Sequence, residues 1–405
     1  MEDQPEEPGF LANLVNGVFP VLRQNQFGEA ERQNALRVMR NVFKTQPNGF
    51  SKHYDRLQFL SSGGFGAVWK ARDRATKKQV VVKFLIPVRP KYTERVADFT
   101  TEFKVLQKCQ GQPNIVHLTA PQWIQLTTKP VTRSESEWTL PNTLSDQVSH
   151  TWYGVVMDLY DGDLVSLVNK YGKTEALFNA IFVQCIAGIQ QFHKQGYTHQ
   201  DIKPENFLYK GNLIVLSDVG VAMENKRKRD GSSCGLSGTY LYMSAHQILR
   251  KAMDGRGCYD PDGDFESLAN SLYRLFIGKL PWEDDLNNNK SLRSTVPARE
   301  RLYANPPNDP HHPKSILSRI IALGHLSRLH QVPMVTKDEV EIAKSALYEI
   351  THKRHHLRKR PVVQKRKTPI KRKRPVRKSP VRKRVVVRKR KSPAKRKSPG
   401  KKRRQ

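Results

Sequence analysis

Apolar and polar positions divide the chain into segments of distinct character. Residues 9–22 and 28–44 place apolar side chains at helical spacing, for example Ala35, Val38, Met39 and Val42. Leu57 to Val68 (L-Q-F-L-S-S-G-G-F-G-A-V) predicts a strand, a glycine-rich turn and a second strand. A β-branched run, Val80-Val-Val-Lys83, predicts a further strand, and T-E-F-K-V-L-Q-K (101–108) is helix-like. Leu177 to His193 is an apolar stretch with helical character, and Asn212 to Ser217 is an apolar run suited to a buried strand. Residues 127–150 are polar and rich in Ser and Thr, which marks an insertion between two strands. No apolar stretch reaches membrane-spanning length.

Between the apolar helix and the buried strand lies His199 to Asn206, H-Q-D-I-K-P-E-N, and Asp218-Val219-Gly220 follows the strand. Phosphoryl transfer from a nucleotide passes through a loose transition state, so a protein contributes mainly position and charge. Asp201 is placed to orient a hydroxyl and accept its proton. Lys203, two residues on in an extended loop, can meet the transferred phosphate. Asn206 and Asp218 offer oxygens to magnesium. Upstream, Gly63, Gly64 and Gly66 allow a backbone to approach phosphates closely. Lys83 is a candidate for the α- and β-phosphates, with Glu102 as its ion-pair partner. Each residue alone has a plainer explanation, a polar turn, a hairpin or a solvated helix face. Their common order and spacing set that aside.

On these motifs, residues from about 52 to 345 resemble a eukaryotic-type serine/threonine protein kinase. Lys203 and Pro204 follow its serine/threonine pattern. I-K-P-E-N-F-L (202–208), G-T-Y (238–240), D-F-E-S-L (264–268) and G-K-L-P-W-E-D (278–284) are similar to the casein kinase I and vaccinia-related kinase group. The resemblance implies an α+β fold of two lobes, a small β-rich lobe (about 52–157) and a larger helical lobe (about 158–352), using ATP and Mg2+. It implies that Ser61, Gly63, Gly64, Gly66, Val68 and Lys83 surround the nucleotide and that Met157 backs the adenine pocket. Asp158 to Tyr160 would form the hinge, either Asp163 or Asp161 would reach the ribose, and Asp264 would brace the catalytic loop. Three positions depart from the family pattern: Ser61 replaces a glycine, Gln200 an arginine, and Ser244-Ala245-His246 the usual A-P-E. Gln200 cannot pair with a phosphate as a guanidinium does. The last departure removes a glutamate that pins the segment. An active enzyme that needs no activating phosphate is expected, the rival being a pseudokinase or a nucleic-acid-binding scaffold.

Charge adds a third region. The 405 residues carry a formal +34, but Lys353 to Gln405 holds 28 Lys and Arg and no acid, which leaves 43 basic against 37 acidic groups before it. The tail repeats K-R-K-T-P, V-R-K-S-P and K-R-K-S-P, with too many prolines for a helix and too little apolar surface to offset the entropy of ordering. It resembles the S-P-rich basic tails of linker histones and sperm chromatin proteins. The expected organisation is therefore a helical extension (1–51), a kinase domain (52–352) and a disordered tail (353–405). The expected partners are Ser/Thr-bearing proteins and, through residues 353–405, DNA or chromatin in the nucleus. A solubilising tail or an acidic-membrane tether are the alternatives. The acidic start, M-E-D-Q-P-E-E-P, is unlike a signal peptide. Cys109, Cys185, Cys234 and Cys258 lack the spacing of zinc ligands or a disulfide framework.

Overall fold

The structure is a computed structural model that describes residues 53–62, 66–85, 92–119, 124–127, 151–224, 238–250, 261–306, 308 and 314–358. The expected N-terminal helices, Gly63 and Gly64, most of the 127–150 insertion, Cys234, Cys258 and the tail beyond Arg358 lie outside these residues. Contacts divide the chain into units 1–359 and 360–405, and the described residues all belong to the first.

Five antiparallel strands form the first lobe: β1 (Tyr54–Ser62), β2 (Gly66–Asp73), β3 (Gln79–Leu85), β4 (Ile124–Thr127) and β5 (Thr151–Asp158), in the order β1-β2-β3-β5-β4. Helix α1 (Tyr92–Lys108) lies between β3 and β4 in the chain. Val80, Val82 and Phe84 alternate into the core of this lobe, the period-two pattern of a strand with one buried face. Lys83 therefore points to the other face. Across the sheet Val68 pairs with both Ser61 and Lys83, and Lys83 pairs with Val155, so one register aligns three predicted nucleotide residues.

The second lobe begins with β6 (Gly162–Asp163), α2 (Leu164–Tyr171) and α3 (Glu175–Lys194). Thr174 caps α3, accepting from the backbone N–H of Leu177 at 3.2 Å. Leu177, Phe178, Ile181, Cys185, Ile189 and Phe192 run down its buried side. After β7 (Tyr197–Thr198) comes a 3-10 turn (Pro204–Asn206), then the hairpin β8 (Phe207–Lys210) and β9 (Leu213–Leu216), and β10 (Met223–Glu224), which pairs with β7. The remainder is helical: α4 (Ala245–Arg250), α5 (Pro261–Leu272), α6 (Glu283–Asn287), α7 (Val296–Ala304), α8 (Ile316–Arg328) and α9 (Lys337–Arg358). α5 is buried on all sides and ends in a π-helical turn, Tyr273–Ile277. A β-sheet lobe beside a helical lobe is the expected two-lobed α+β kinase fold. Among the described residues no helix is long and apolar enough to cross a membrane.

Candidate active site

Two clusters of polar side chains, one on each lobe, meet through Lys83 and Asp218. Lys83 Nζ lies 2.6 Å from Glu102 Oε1 on α1 and 2.7 Å from Asp218 Oδ1, which follows β9. Burial works against the lysine's charge, but the two carboxylates outweigh it and hold its pKa above the usual value. Asp218 is held down to about 2 by Lys83. Burial pushes Glu102 up, and its ion pair with Lys83 offsets only part of that rise.

The second cluster is built on the 199–206 loop. Lys203 Nζ donates to Asp201 Oδ2 at 2.6 Å, and Asn206 Nδ2 donates to the Asp201 backbone carbonyl at 2.8 Å. Thr239 supplies two further donors to Asp201 Oδ1, its N–H and its hydroxyl, each at 2.7 Å. Lys203 Nζ also reaches Thr239 Oγ1 at 3.1 Å. Asp201 is thus oriented from four groups.

Positive φ angles at Gln200 (65°) and Asp218 (58°) bend the backbone where these side chains must turn inward. Asp264 on α5 secures the first bend, accepting from the N–H groups of His199 at 2.8 Å and Gln200 at 2.9 Å. His193 on α3 lies 2.8 Å from the same carboxylate. Fully buried His199 reaches the Ser217 carbonyl at 3.0 Å through Nε2, tying the catalytic loop to the residue before Asp218. The bracing role expected of Asp264 matches this geometry; the contribution of His193 went unseen in the sequence. Gly238, at φ +104°, lies so close to the Gln200 carbonyl oxygen that a Cβ would collide with it.

Magnesium fits the donors present. Asn206 spends its NH2 on Asp201, which leaves its amide oxygen as the metal donor, and Asp218 is a carboxylate; both are hard oxygen ligands. Among the described residues no group of three or more His, Cys, Asp or Glu could hold a metal. Two protein oxygens with the rest from phosphate and water is the manner in which magnesium binds beside nucleotides.

The residues expected to form the hinge lie at the end of β5 and directly after it. Asp158 still belongs to β5, opposite Val80, with Met157 opposite Val81. Both candidate ribose aspartates carry structural duties: Asp163 Oδ1 caps α2 by accepting from Ser166 N–H at 2.8 Å, and Asp161 Oδ2 accepts from Gly211 N–H at 2.9 Å. The cap uses one of Asp163's two oxygens.

Position 246 is histidine, and other groups hold the segment instead. Glu266 Oε1 on α5 accepts from the Ala245 N–H at 2.9 Å and from Arg328 Nη2 at 3.0 Å. Buried Arg299 on α7 donates to the carbonyls of Tyr240, Leu241 and Met243. Burial pulls the Arg299 pKa down to about 9, although Glu266 nearby opposes the shift. The segment is anchored by α5, α7 and α8.

A family model described as the protein kinase domain matches residues 54–354. The chain belongs to the protein kinase family. Among curated relatives it is 24% identical to human serine/threonine-protein kinase H1 over 309 residues, covering 74% of this chain and 64% of that protein. It is 31% identical to casein kinase 1-like protein HD16 of Oryza sativa subsp. japonica over 155 residues, 35% of this chain and 21% of that protein. It is 27% identical to serine/threonine-protein kinase 36 of Pongo abelii over 231 residues, 56% and 15% respectively. The chain spans less than two thirds of the length of these relatives.

Proposed function

We propose that the chain is a Mg2+- and ATP-dependent protein serine/threonine kinase of casein kinase I-like character, acting on nuclear or DNA-associated proteins through its basic tail. The bridge from Glu102 through Lys83 to Asp218, beside an Asp201 fixed by Lys203, Asn206 and Thr239, carries the reading. Lys83 would hold the α- and β-phosphates. Asp201 would orient the acceptor hydroxyl and take its proton as the new phosphorus–oxygen bond forms and the bond from the γ-phosphorus to the departing ADP oxygen breaks. Lys203, 2.6 Å from Asp201, would offset negative charge on the moving phosphoryl group. Asp218 and Asn206 would hold magnesium, which would supply the remaining positive charge. Support for the tether comes from the 28 cations of residues 353–405 and the absence of acids among them.

Gln200 and His246 favour one rival, a nucleic-acid-binding scaffold that retains the fold without transferring phosphate. Radiolabelled-phosphate transfer by purified protein to histones and casein distinguishes the two. The kinase reading expects Mg2+-dependent labelling that Asp201→Asn abolishes. Nucleotide binding without labelling would leave the scaffold standing.

A further inference from the structure

Arg299 has no exposed surface. Its Nη2 donates to the Tyr240 carbonyl at 2.8 Å, Nη1 to those of Leu241 (3.4 Å) and Met243, and Nε to Thr295 Oγ1 at 3.1 Å. The guanidinium lies over the Trp282 ring, 4.3 Å from its centroid, and Trp282 Nε1 donates to the Leu241 carbonyl at 2.8 Å. A cation this deep is costly unless its donors are satisfied. Here three satisfying oxygens come from one stretch of four residues. Glu266, the nearby carboxylate, is held instead by Arg328 and the Ala245 N–H, and Arg328 Nη2 also donates to the Arg299 carbonyl at 3.1 Å.

That stretch starts next to Thr239, whose hydroxyl is bound to Asp201. Tyr240 to Met243 thus follow directly in the chain from a residue bound to Asp201, where an acceptor hydroxyl would have to come. We propose that Arg299 is a positioning residue for the protein substrate, fixing the carbonyls of this stretch and so the surface on which the substrate chain lies. The proposal rests on the kinase reading and deepens it by assigning how acceptor binding is maintained where position 246 is histidine. The fork of a guanidinium is what reaches several carbonyls at once; a lysine ammonium, a point charge on a flexible stem, does not reproduce it.

Steady-state transfer to dephosphorylated casein by the full chain tests the idea, with casein and ATP varied separately. Arg299→Lys is expected to raise the casein KM about tenfold and to leave the ATP KM within about twofold. Thr295→Val, which removes the Nε partner together with that hydroxyl's own bond to the Leu292 carbonyl, is expected to shift the casein KM in the same direction by less. Arg299→Met adds a neutral comparison; if it fails to fold, the lysine and valine variants decide. An unchanged casein KM in Arg299→Lys would overturn the proposal. So would a casein KM that rises only in step with the ATP KM and a falling thermal transition, the mark of general loosening. Failure of the wild-type chain to label either casein or histones would refute the kinase reading itself, a result seen before any variant is compared; where histones alone are labelled they take the place of casein throughout.

Discussion

The Thr239 hydroxyl lies 2.7 Å from Asp201 Oδ1 and 3.1 Å from Lys203 Nζ, joining the catalytic loop to the segment after it without a phosphate. Glu266 and Arg299 hold the following residues, again through groups that need no modification. Activity is therefore expected not to require phosphorylation of Thr239, nor of Ser232, Ser233 or Ser237. Phosphatase treatment should leave the initial rate within a few-fold. A large loss restored by preincubation with ATP would show that a phosphate is needed, with Lys226-Arg-Lys-Arg229 as the cations to receive it.

Lys83 is the common partner of Glu102 and Asp218, and Asp218 is a candidate metal ligand, so each lies on the path of charge neutralisation. Lys83→Met and Asp218→Asn should each lower phosphate incorporation at least about a hundredfold. Circular dichroism should show the secondary structure retained. Both variants keeping wild-type transfer would remove the basis of the proposed function.

The same ion pair has a pH signature. The pKa of Asp218 in the fold, about 2, lies below the ordinary carboxylate value of 3.8, so its contribution to stability is complete above that value and falls as pH drops towards 2. Lys83 is shifted up, so its share is complete below the ordinary lysine value and is lost only in strong alkali. The thermal transition of the wild type should thus exceed that of Lys83→Met by a constant margin from about pH 6 to 9, and the margin should shrink on acidification. Glu102 adds to the shrinkage, because burial without its cation favours the protonated acid. A margin that grows as pH falls would contradict the assignment.

The catalytic segment is legible in sequence because its chemistry is local: Asp201, Lys203 and Asn206 lie within six residues, and Asp218 follows one short hairpin, β8–β9. Strands β6, β7 and β10 have two residues each, too few for any alternation to register. The anchor at Arg299 was also hidden, since it joins residues 56 to 59 positions apart. In V-P-A-R-E-R-L-Y-A an arginine next to other charges has the pattern of a solvated helix face. Its packing against Trp282 and its bonds to the carbonyls of Tyr240, Leu241 and Met243 distinguish it. Glu102 illustrates the opposite case, a charged helix residue correctly paired because Lys83 upstream demanded a partner.

α9 continues to Arg358, past the expected start of the tail at Lys353, so a tail deletion that spares the domain begins after Arg358 rather than at Lys353. Removing residues 359–405 takes away 25 of the 28 terminal cations. DNA affinity and nuclear accumulation should fall sharply, while phosphate transfer to a small soluble peptide persists. Within the tail, Thr368, Ser379, Ser392 and Ser398 each precede a proline and suit a proline-directed kinase. Four phosphates would add roughly −6 to −8 in charge at neutral pH, too little to reverse the sign of the tail. Phosphorylation at all four sites should consequently weaken binding to duplex DNA and flatten its salt dependence without abolishing either, as measured by fluorescence anisotropy across a salt series. If the truncated chain bound DNA as tightly as the whole one, the contact would belong to the folded lobes instead.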